Sequence, residues 1–510
     1  MVKNVVDYLE HSAKQYSQKL AFCDEKNAFT FQETRTLARK IATEIPVDYY
    51  REPVIIYMKK SANMAVSFLG AAYSGNYYVP VDISSPKERT KKIFDTLQAK
   101  IVITDEPDSD ADGLFAGKRV IYFSELDRTN IDEEILKEQY LRQCDSDPLY
   151  VLFTSGSTGM PKGVVISHKA VIDYTEWLKD TFDFTDETVF GNQAPFYFDN
   201  SILDIYSTIK NAATMHVIPE RLFTFQKQLV DYLNSREINT IFWVPSALIA
   251  VANSGILEAY PPQKITKVLF CGEVMPNRQL NIWRKYVKAE VYANLYGPTE
   301  ITDVCSCYLV DREFQDDEPL PIGRACSNTE IMILNDENKI CALNETGELC
   351  VRGTCLSLGY FGDKGKTNAA FVQNPLNDKW NELIYRTGDL AYVNERQEIM
   401  YIGRKDFQIK FQGHRIELGE IEAACMSVDF VQQCGVVFDE KKNEIVLFCS
   451  VSDHTEDGEK RIRSSLKSLL PKYMIPHKIL IRESLPLNDN GKINRKKLKE
   501  GLDKNDESDH

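Results

Sequence analysis

A segment rich in glycine and hydroxyl side chains, TSGSTGMPKG at positions 154–163, has the residue types of an anion-binding loop. Its glycines leave backbone N–H groups accessible, its hydroxyls are donors, and its lysine adds a positive charge. The residues expected to surround a phosphate are Thr154, Ser155, Gly156, Ser157, Thr158, Gly159 and Lys162. The spacing differs from the GxxxxGK[ST] nucleotide loop, because glycine follows the lysine. A flexible linker is the alternative, but the apolar run before the segment and its Pro-Lys-Gly ending favour phosphate binding.

Six further polar segments accompany this loop in a fixed order. They are Phe198-Asp-Asn-Ser201, Asn294-Leu-Tyr-Gly-Pro-Thr-Glu300, Tyr385-Arg-Thr-Gly-Asp389, Gly403-Arg-Lys-Asp406, Gly413-His-Arg-Ile-Glu-Leu-Gly-Glu420 and Asn490-Gly-Lys-Ile-Asn-Arg495. Together the seven segments resemble the adenylate-forming enzymes, which include acyl-CoA synthetases, luciferase-like ligases and the amino-acid adenylation domains of nonribosomal peptide synthesis. The loop alone is weakly specific, whereas seven ordered segments covering essentially the whole chain are strongly so.

The resemblance implies that a substrate carboxylate attacks the α-phosphate of ATP and displaces pyrophosphate. This step requires charge neutralisation, alignment and exclusion of water. Glu300 is expected to meet Mg²⁺, a hard cation that commonly bridges carboxylate and phosphate oxygens. Tyr296 is expected against the adenine face, with Asn294 at the adenine edge and Thr299 also at the nucleotide. For this segment alone, a capped turn around a buried tyrosine is the alternative interpretation.

Four more positions take their roles from the same resemblance. Asp389 offers two acceptor oxygens to the ribose diol, and Arg404 matches the arginine at the ribose and phosphate end. Asp406 matches the hinge residue between the domains. Lys492 matches the catalytic lysine that contacts carboxylate and phosphate oxygens during adenylation, together with Lys162 and Glu300. Without the resemblance, these side chains would be interpreted as turn residues or surface charges.

Asp199 separates the branches of the family. An amino-acid substrate carries an ammonium group that needs a partner in a closed pocket, and a carboxylate provides it. Family members that activate amino acids have aspartate here, so we expect an amino-acid substrate. The alternative is an aspartate that caps a helix beginning near Ser201.

Counting from the matched segments also predicts the lining of the substrate pocket. The predicted lining residues are Asp199, Asn200, Leu203, Trp243, Leu269, Cys271, Leu295, Asp303, Val304 and Lys492. If Trp243 faces the pocket, the substrate side chain must be compact, and Asp303 could anchor its hydroxyl or amine. If Trp243 is an ordinary core residue, this argument about size is lost.

The run Leu269-Phe-Cys-Gly-Glu-Val-Met-Pro276 and the chain length also resemble stand-alone D-alanine ligases that charge a carrier protein for teichoic acid modification. Nothing beside the unit could be a condensation or carrier domain, so we expect a carrier protein in trans. The predicted function is activation of an amino acid as aminoacyl-AMP and transfer to the phosphopantetheine thiol of that carrier. Alternatives are a D-alanine–carrier protein ligase, or a CoA ligase of a small carboxylic acid, which Asp199 disfavours.

A nucleotide-binding sensor or scaffold without ligase activity is a further alternative, of a different class. It is disfavoured because Lys162, Glu300, Asp389 and Lys492 are all present.

The elements that position these residues alternate between short β-branched runs and helical patterns through the first four hundred residues. This predicts an α/β large N-terminal domain, residues 1–404, with layered, largely parallel sheets and a β-rich subdomain near 322–359. Residues 405–498 read as strand, helix, two strands, helix and strand, which predicts a small, mobile α+β C-terminal domain. The polar stretch 499–510 is predicted to be disordered.

Composition narrows the possible partners. The 510 residues include 61 Lys and Arg against 75 Asp and Glu, a formal net charge of −14. An acidic balance disfavours non-specific binding to nucleic acid or anionic membrane. The twelve cysteines show no zinc-ligand spacing, and no stretch approaches the apolar length of a membrane-spanning helix. We therefore expect a cytoplasmic protein with small-molecule and protein partners.

Overall fold

The computed structural model describes residues 2–106, 113–156, 160–405, 408–452, 457–486 and 493–506, with side chains up to residue 502. Its strands are β1 (Leu20–Cys23), β2 (Ala28–Thr30), β3 (Pro53–Tyr57), β4 (Tyr77–Val81), β5 (Ile101–Thr104), β6 (Arg119–Tyr122), β7 (Pro148–Thr154), β8 (Lys162–Ser167), β9 (Val189–Asn192), β10 (Thr214–Val217), β11 (Thr240–Trp243), β12 (Lys267–Cys271), β13 (Val291–Tyr296), β14 (Ser306–Leu309), β15 (Arg324–Ala325), β16 (Thr329–Leu334), β17 (Gly347–Gly353), β18 (Gly359–Tyr360), β19 (Phe371–Gln373), β20 (Leu383–Val393), β21 (Ile399–Arg404), β22 (Gln408–Phe411), β23 (His414–Glu417), β24 (Val431–Asp439), β25 (Glu444–Val451) and β26 (Lys478–Ile481).

The α-helices lie mostly between these strands, as the alternating pattern predicts. They are α1 (Val6–Gln15), α2 (Phe31–Glu44), α3 (Ala62–Tyr73), α4 (Lys87–Leu97), α5 (Glu133–Arg142), α6 (His168–Phe182), α7 (Asn200–Asn211), α8 (Gln226–Ser235), α9 (Pro245–Asn253), α10 (Ile256–Ala259), α11 (Asn277–Tyr286), α12 (Lys364–Ala370), α13 (Leu418–Met426), α14 (Gly458–Leu469) and α15 (Arg495–Asp506). Among the described residues, none of these helices combines the length and apolar character needed to span a bilayer.

The described residues group into two compact units. The first comprises Met1–Ile83, Leu97–Leu152 and Gly163–Lys405, and the second contains Ser84–Thr96, Phe153–Lys162 and the described residues after Lys405. The change of unit after Lys405 lies one residue beyond the end of the predicted large domain, and the predicted domain assignment stays a prediction. The segments Ser84–Thr96 and Phe153–Lys162 group with the second unit, although they precede residue 404 in the chain.

The first unit is built on sheets whose order confirms the predicted α/β class. One sheet has the order β15-β14-β13-β12-β11-β9-β10-β1-β2, and its run from β13 through β12, β11, β9 and β10 to β1 is parallel. A second has the order β18-β8-β7-β4-β3-β5-β6, with β7, β4, β3, β5 and β6 paired in parallel. The predicted β-rich region is an antiparallel sheet of β16, β17, β20, β19 and β21, which extends to Arg404.

Strand alternation divides the core of the first sheet between its two faces. On β12, Leu269 and Cys271 pack in one hydrophobic cluster, whereas Val268 and Phe270 pack in another. Because successive side chains of a strand point to opposite faces, neighbouring positions of one strand enter different layers. The parallel pairing of β12 with β13 places Cys271 opposite Leu295.

The second unit contains two sheets and its own hydrophobic cluster. Strands β22 and β23 form a hairpin whose two turn residues, Gln412 and Gly413, both have positive φ, as a twisted two-residue turn requires. Strand β25 pairs with β24 and β26. Two elements of this unit were not predicted, namely β23 and α15. The latter covers part of the predicted disordered tail, because good helix formers there bury Leu498.

Candidate active site

The turn after β13 holds Glu300 in the first unit. Tyr296 ends the strand, and the chain then makes a 3₁₀ turn at Thr299–Ile301. Glu300 is fully buried, and its Oε1 accepts a hydrogen bond of 2.8 Å from Tyr360 Oη. Gly297 is required here, because a Cβ at this position would lie 2.3 Å from the carbonyl oxygen of Asp303. The tight turn thus positions the backbone of Glu300, and the hydrogen bond from Tyr360 orients its carboxylate.

Three residues predicted to bind adenosine are brought together. Strand pairing sets Asp389 on β20 opposite Arg404 on β21, and Arg404 Nη1 donates to Asp389 Oδ1 at 2.8 Å. Tyr296 Oη donates to the other carboxylate oxygen. Burial, with the nearby Asp389 charge, raises the pKa of Tyr296 well above its usual value, so the phenol stays protonated. A tyrosine ring, a carboxylate and a guanidinium thus lie together in the first unit, and their predicted binding of adenosine stays a prediction.

Asn294 and Thr299 lie on the same stretch of chain. The Asn294 side-chain amide donates to the carbonyl oxygen of Pro321 at 2.8 Å. Asn294 and Thr299 are both buried. Asn294 therefore already has a backbone partner in this structure, and its predicted contact with the adenine edge stays a prediction.

Glu300 also fits a magnesium ion that is shared with a nucleotide. Within the described ranges, no group of three or more His, Cys, Asp or Glu side chains could by itself hold a metal ion. Mg²⁺ commonly keeps several waters and binds through one or two carboxylates together with phosphate oxygens. A single buried carboxylate matches that mode of binding, whereas it does not match an all-protein metal cage.

The predicted substrate residues converge from three elements of the first unit. Leu203 comes from α7, Leu269 and Cys271 from β12, and Leu295 from β13, and all four pack in one buried cluster. Val304, after the Glu300 turn, belongs to the same cluster, and Asn200 is buried at the start of α7.

Asp199 immediately precedes α7, the helix that carries Asn200 and Leu203. Its side chain accepts a hydrogen bond of 3.1 Å from the N–H of Asn200. This bond goes to the first residue of the helix, whereas a typical N-cap reaches the second or third. The carboxylate thus accepts one hydrogen bond at the start of α7, which is close to the alternative interpretation of a helix cap. Asp199 also directly precedes Asn200, the first of the predicted substrate residues on α7.

Asp303 joins this group through Tyr174 of α6. Tyr174 Oη donates to Asp303 Oδ2 at 2.7 Å, and both side chains are buried. Burial, with the adjacent Asp303 charge, raises the pKa of Tyr174 well above its usual value. Burial also raises the pKa of Tyr150, and the charges of Asp199 and Asp303 add to this shift.

Trp243 is not brought to this group, which corrects the prediction that it lines the pocket. Its side chain is fully buried in the cluster on the other face of the sheet, and its Nε1 donates to the carbonyl oxygen of Gly191 at 2.8 Å. The edges of Phe223 and Trp283 pack against it, with ring centroids 5.1 and 6.4 Å away. On β11 it is Phe242 that packs with Leu269 and Cys271. Trp243 is a core residue, the alternative named above.

The described part of the phosphate loop lies in the second unit, where carboxylates contact it. The N–H of Gly156 donates to Glu420 Oε2 at 3.1 Å, and Lys162 Nζ lies 3.4 Å from Glu417 Oε1. Ser155 Oγ donates to the carbonyl oxygen of Arg415 at 2.7 Å. The Gly156 N–H and Lys162 thus contact carboxylate oxygens in this structure, and the binding of phosphate by this loop stays a prediction.

Gly156 has a steric reason within this loop. A Cβ at Gly156 would lie 2.1 Å from the carbonyl oxygen of Met160, so a larger residue could not close the loop. Thr154 Oγ1 lies 3.5 Å from the carbonyl oxygen of Lys162 across the same closure. The remaining loop predictions, Ser157, Thr158 and Gly159, fall outside the described residues, as do Asp406 and Lys492.

Several partners of site residues were not identified from the sequence. Tyr360 and Tyr174 lie far along the chain from the carboxylates that they approach; Tyr174 and Asp303, for example, are 129 positions apart. Arg89 forms an ion pair of 2.7 Å with Glu420 in the second unit, and burial raises the pKa of Glu420. Glu420 stands inside a matched segment, so attention to its carboxylate could have identified it. The tyrosines give no local signal.

Comparison with known proteins places this geometry in a family. Residues 9–361 match the family model of the AMP-binding enzymes, and residues 420–492 match that of the AMP-binding enzyme C-terminal domain. A D-alanine–D-alanyl carrier protein ligase from Bacillus licheniformis is 32% identical over 517 residues, covering 97% of this chain and 99% of that protein. The ligase of the same name from Bacillus velezensis is 31% identical over 509 residues, with 97% and 99% covered.

A solved structure shows the same fold. The Vibrio cholerae adenylation domain AlmE, in complex with glycyl-adenosine-5'-phosphate, has a TM-score of 0.83 and 20% identity, with 99% of this chain and 98% of that chain covered. At this identity the likeness concerns the fold alone. The chain belongs to the AMP-binding enzymes. The predictions of an adenylate-forming ligase and of ATP as its nucleotide are confirmed.

Proposed function

We propose that this enzyme activates a small amino acid with Mg·ATP and transfers it to the phosphopantetheine thiol of a separate carrier protein. In the first step, a carboxylate oxygen of the amino acid bonds to the α-phosphorus of ATP, and pyrophosphate leaves. In the second, the thiol sulfur bonds to the acyl carbon, its proton passes to solvent, and AMP leaves. The reaction consumes ATP, and we infer a cytoplasmic enzyme.

The observation that carries the amino-acid assignment is the position of Asp199. Its carboxylate stands at the start of α7, directly before the buried residues that converge from α7, β12 and β13. An ammonium group that enters this apolar group needs a negative partner. The two Bacillus relatives are named D-alanine–D-alanyl carrier protein ligases, and this chain matches them over almost their whole length. That match supports a D-alanine–carrier protein ligase over a peptide-synthetase domain.

In this proposal the other residues have separate tasks. Asp389 accepts the ribose hydroxyls while Tyr296 lies against the adenine, and Arg404 holds the Asp389 carboxylate. Glu300 holds Mg²⁺ at the phosphates. Lys162 and the loop N–H groups neutralise phosphate charge, which stabilises the transition state of phosphoryl attack. Lys492 is proposed to contact the reacting oxygens.

The test is amino-acid-dependent exchange of pyrophosphate into ATP, measured with a panel of L- and D-amino acids. Asp199→Asn should lower this exchange several hundredfold, because removing one partner of a buried charge pair costs ~3–5 kcal/mol. ATP binding should survive, since Asp199 is proposed to bind the ammonium group and not the nucleotide. Asp231→Asn is the matched control, because Asp231 pairs with Lys227 on the surface of α8.

Two outcomes would contradict the proposal. Equal exchange by parent and Asp199→Asn would remove the amino-acid assignment. Faster exchange with propionate than with alanine, followed by transfer to free CoA, would identify the enzyme as a CoA ligase of a small carboxylic acid.

A further inference from the structure

Three cysteines lie in one hydrophobic cluster of the second unit, apart from the residues proposed for the reaction. Cys434 is on β24, Cys449 on β25 and Cys425 on α13, and all three are buried. All three are free thiols in this structure. Buried free cysteines usually serve as small apolar side chains, so their relative geometry decides whether they can do more.

Cys434 and Cys449 are directly opposite each other on two antiparallel strands. The N–H of Arg482 on the far side donates to the carbonyl oxygen of Cys449 at 2.9 Å, so the backbone groups of Cys449 point away from β24. The N–H of Val436, two positions after Cys434, donates to Glu422 Oε1 at 2.8 Å and therefore points away from β25. Because alternate residues of a strand point the same way, Cys434 and Cys449 form a non-hydrogen-bonded pair, the closer kind in an antiparallel sheet.

This pairing has the geometry that a disulfide requires. The Cα atoms of a non-hydrogen-bonded pair are about 4.5 Å apart, and a disulfide joins Cα atoms about 4.4–6.8 Å apart. Cys434 and Cys449 also lie on the same face of the sheet, since both pack in one cluster while their neighbours Val437 and Phe448 pack in another. A bond between the two sulfurs would therefore need little movement of the backbone.

Helix α13 covers the pair and carries the third thiol. The Cys434 thiol donates to the carbonyl oxygen of Glu422 at 3.4 Å, and Cys425 lies about one turn further along that helix. A hydrogen bond with Cys434 and burial raise the pKa of Cys425 well above its usual value. Burial, with Cys434 nearby, raises the pKa of Cys449 to about 12. Both thiols therefore stay protonated at neutral pH.

Exposure determines which thiol an oxidant meets first. Cys434 is 8% exposed, whereas Cys425 and Cys449 are 0% exposed. Cys434 also lies on β24, which is at the edge of the three-stranded sheet, whereas Cys449 lies on the central strand β25. A small oxidant therefore reaches Cys434 before the other two thiols, and Cys449 is the thiol placed to react next.

We propose that Cys434 and Cys449 are a modification site, at which a hydroperoxide forms a reversible disulfide. The Cys434 sulfur attacks one oxygen of hydrogen peroxide, the O–O bond breaks, and a sulfenic acid and one water result. The Cys449 sulfur then bonds to the Cys434 sulfur, the S–O bond breaks, and a second water leaves. Two thiols thus lose two electrons and two protons, and the peroxide is reduced to two waters.

The disulfide joins the edge strand β24 to the central strand β25. A cross-link stabilises a fold mainly by constraining the unfolded chain, so these strands should open less often when the protein is oxidised. The inference concerns the second unit alone and does not depend on which substrate the enzyme activates.

The experiment treats the full chain with hydrogen peroxide under native conditions, blocks the remaining thiols with iodoacetamide in denaturant, and maps the peptides by mass spectrometry. We expect peptides joined through Cys434 and Cys449, which dithiothreitol separates. Cys350 is the matched control, because it is a buried strand cysteine whose register partners are Met332 and Arg386, and it should stay reduced. This mapping needs no variant, so it remains decisive even if a substituted protein does not fold.

Hydrogen exchange measures the consequence for the fold. Amides of β24 and β25 should exchange more slowly in the oxidised parent than in the reduced parent, and peroxide should not slow them in Cys434→Ser. Cys425→Ser should still form the Cys434–Cys449 disulfide. The inference would be overturned if the joined peptides were absent, if Cys434 were joined mainly to Cys425, or if the bond formed only in denaturant.

Discussion

At the scale of single residues, burial decides what each polar group does. The carboxylates of Asp389 and Asp303 each accept a hydrogen bond from a buried tyrosine, Tyr296 and Tyr174 respectively. In both tyrosines burial raises the pKa well above the usual value. A phenol that stays protonated is a permanent donor, so it orients the carboxylate that it contacts. At Asp389 the Arg404 guanidinium adds a positive charge, 2.8 Å away.

A third buried carboxylate, Asp204, lies on the helix that begins after Asp199. Its Oδ2 accepts a hydrogen bond of 2.7 Å from the side-chain amide of Asn192. Burial raises the pKa of Asp204 to about 7, although Lys60 nearby opposes the shift. Burial lowers the pKa of Lys60 itself to about 8. The raised pKa of Asp204 therefore links the stability of the protein to pH.

Asp204→Asn should change the pH dependence of stability. The folded pKa of Asp204, about 7, is above the unfolded value of ~3.9, so its contribution is fully present below pH ~4 and is lost as pH rises through 7. The variant has no carboxyl to ionise and can still accept from Asn192. Relative to the parent, its free energy of unfolding should therefore increase between pH 4 and 8.

Urea unfolding of both proteins across that range measures the difference. The same difference for Asp231→Asn, on the surface, should stay flat. A parent-minus-variant difference that does not vary with pH would show that Asp204 does not titrate in this range.

At the scale of elements, alternation along the strands assigns side chains to layers. Trp243 and Phe242 are neighbours on β11, yet they pack on opposite faces of the sheet. Counting from the matched segments can assign a pocket position to the right strand and still be wrong by one residue. An error of one residue on a strand exchanges the two faces of the sheet. Here the alternation places Phe242 in the cluster of Leu269 and Cys271, and Trp243 in the core on the other face.

Trp243→Ala should therefore lower the free energy of unfolding by ~3–5 kcal/mol, the usual cost of removing a buried aromatic side chain. The ranking of amino acids in pyrophosphate exchange should not change. Trp283→Ala is the matched control, because Trp283 is 1% exposed in the same cluster and its Nε1 donates to the carbonyl oxygen of Leu248. Acceptance of larger amino acids by Trp243→Ala alone, with stability retained, would restore the original pocket assignment.

At the scale of the whole molecule, the proposed reaction has two half-reactions and the chain has two units. Adenylate formation and thiol transfer use the same acyl group, and Lys492 is proposed to serve only the first. The proposed hinge at Asp406 follows directly after the last residue of the first unit. A hinge motion on the microsecond to millisecond scale is expected between the steps.

Lys492→Ala should lose most adenylate formation, because charge at the reacting oxygens is no longer neutralised, yet it should still transfer an aminoacyl group from supplied adenylate to the carrier. The two half-reactions are measured separately by single-turnover kinetics. Lys496→Ala is the control, since Lys496 is exposed on α15. Asp406→Pro, which restricts the backbone at the hinge, should show the opposite pattern if it favours the adenylating arrangement. Equal slowing of both half-reactions by Lys492→Ala would contradict the alternating account.

Local patterns in the sequence determined much of this protein. The alternation of β-branched runs and helical patterns determined the α/β class. Helix α3 begins one residue after Ser61, whose hydroxyl caps it. Such elements follow from hydrophobic period and capping, which neighbouring residues encode. The seven ordered segments also determined the family, since binding of phosphate and ribose requires particular residue types at particular spacings.

Tertiary structure alone decided which distant groups meet. It brought Tyr174 to Asp303, paired Arg89 with Glu420, and turned Trp243 away from Leu269. These outcomes depend on strand register, on the face that each side chain enters and on burial, which arise only when separate segments pack. A local pattern carries no information about a partner more than a hundred positions away, because the contact is made by the fold and not by the chain between them.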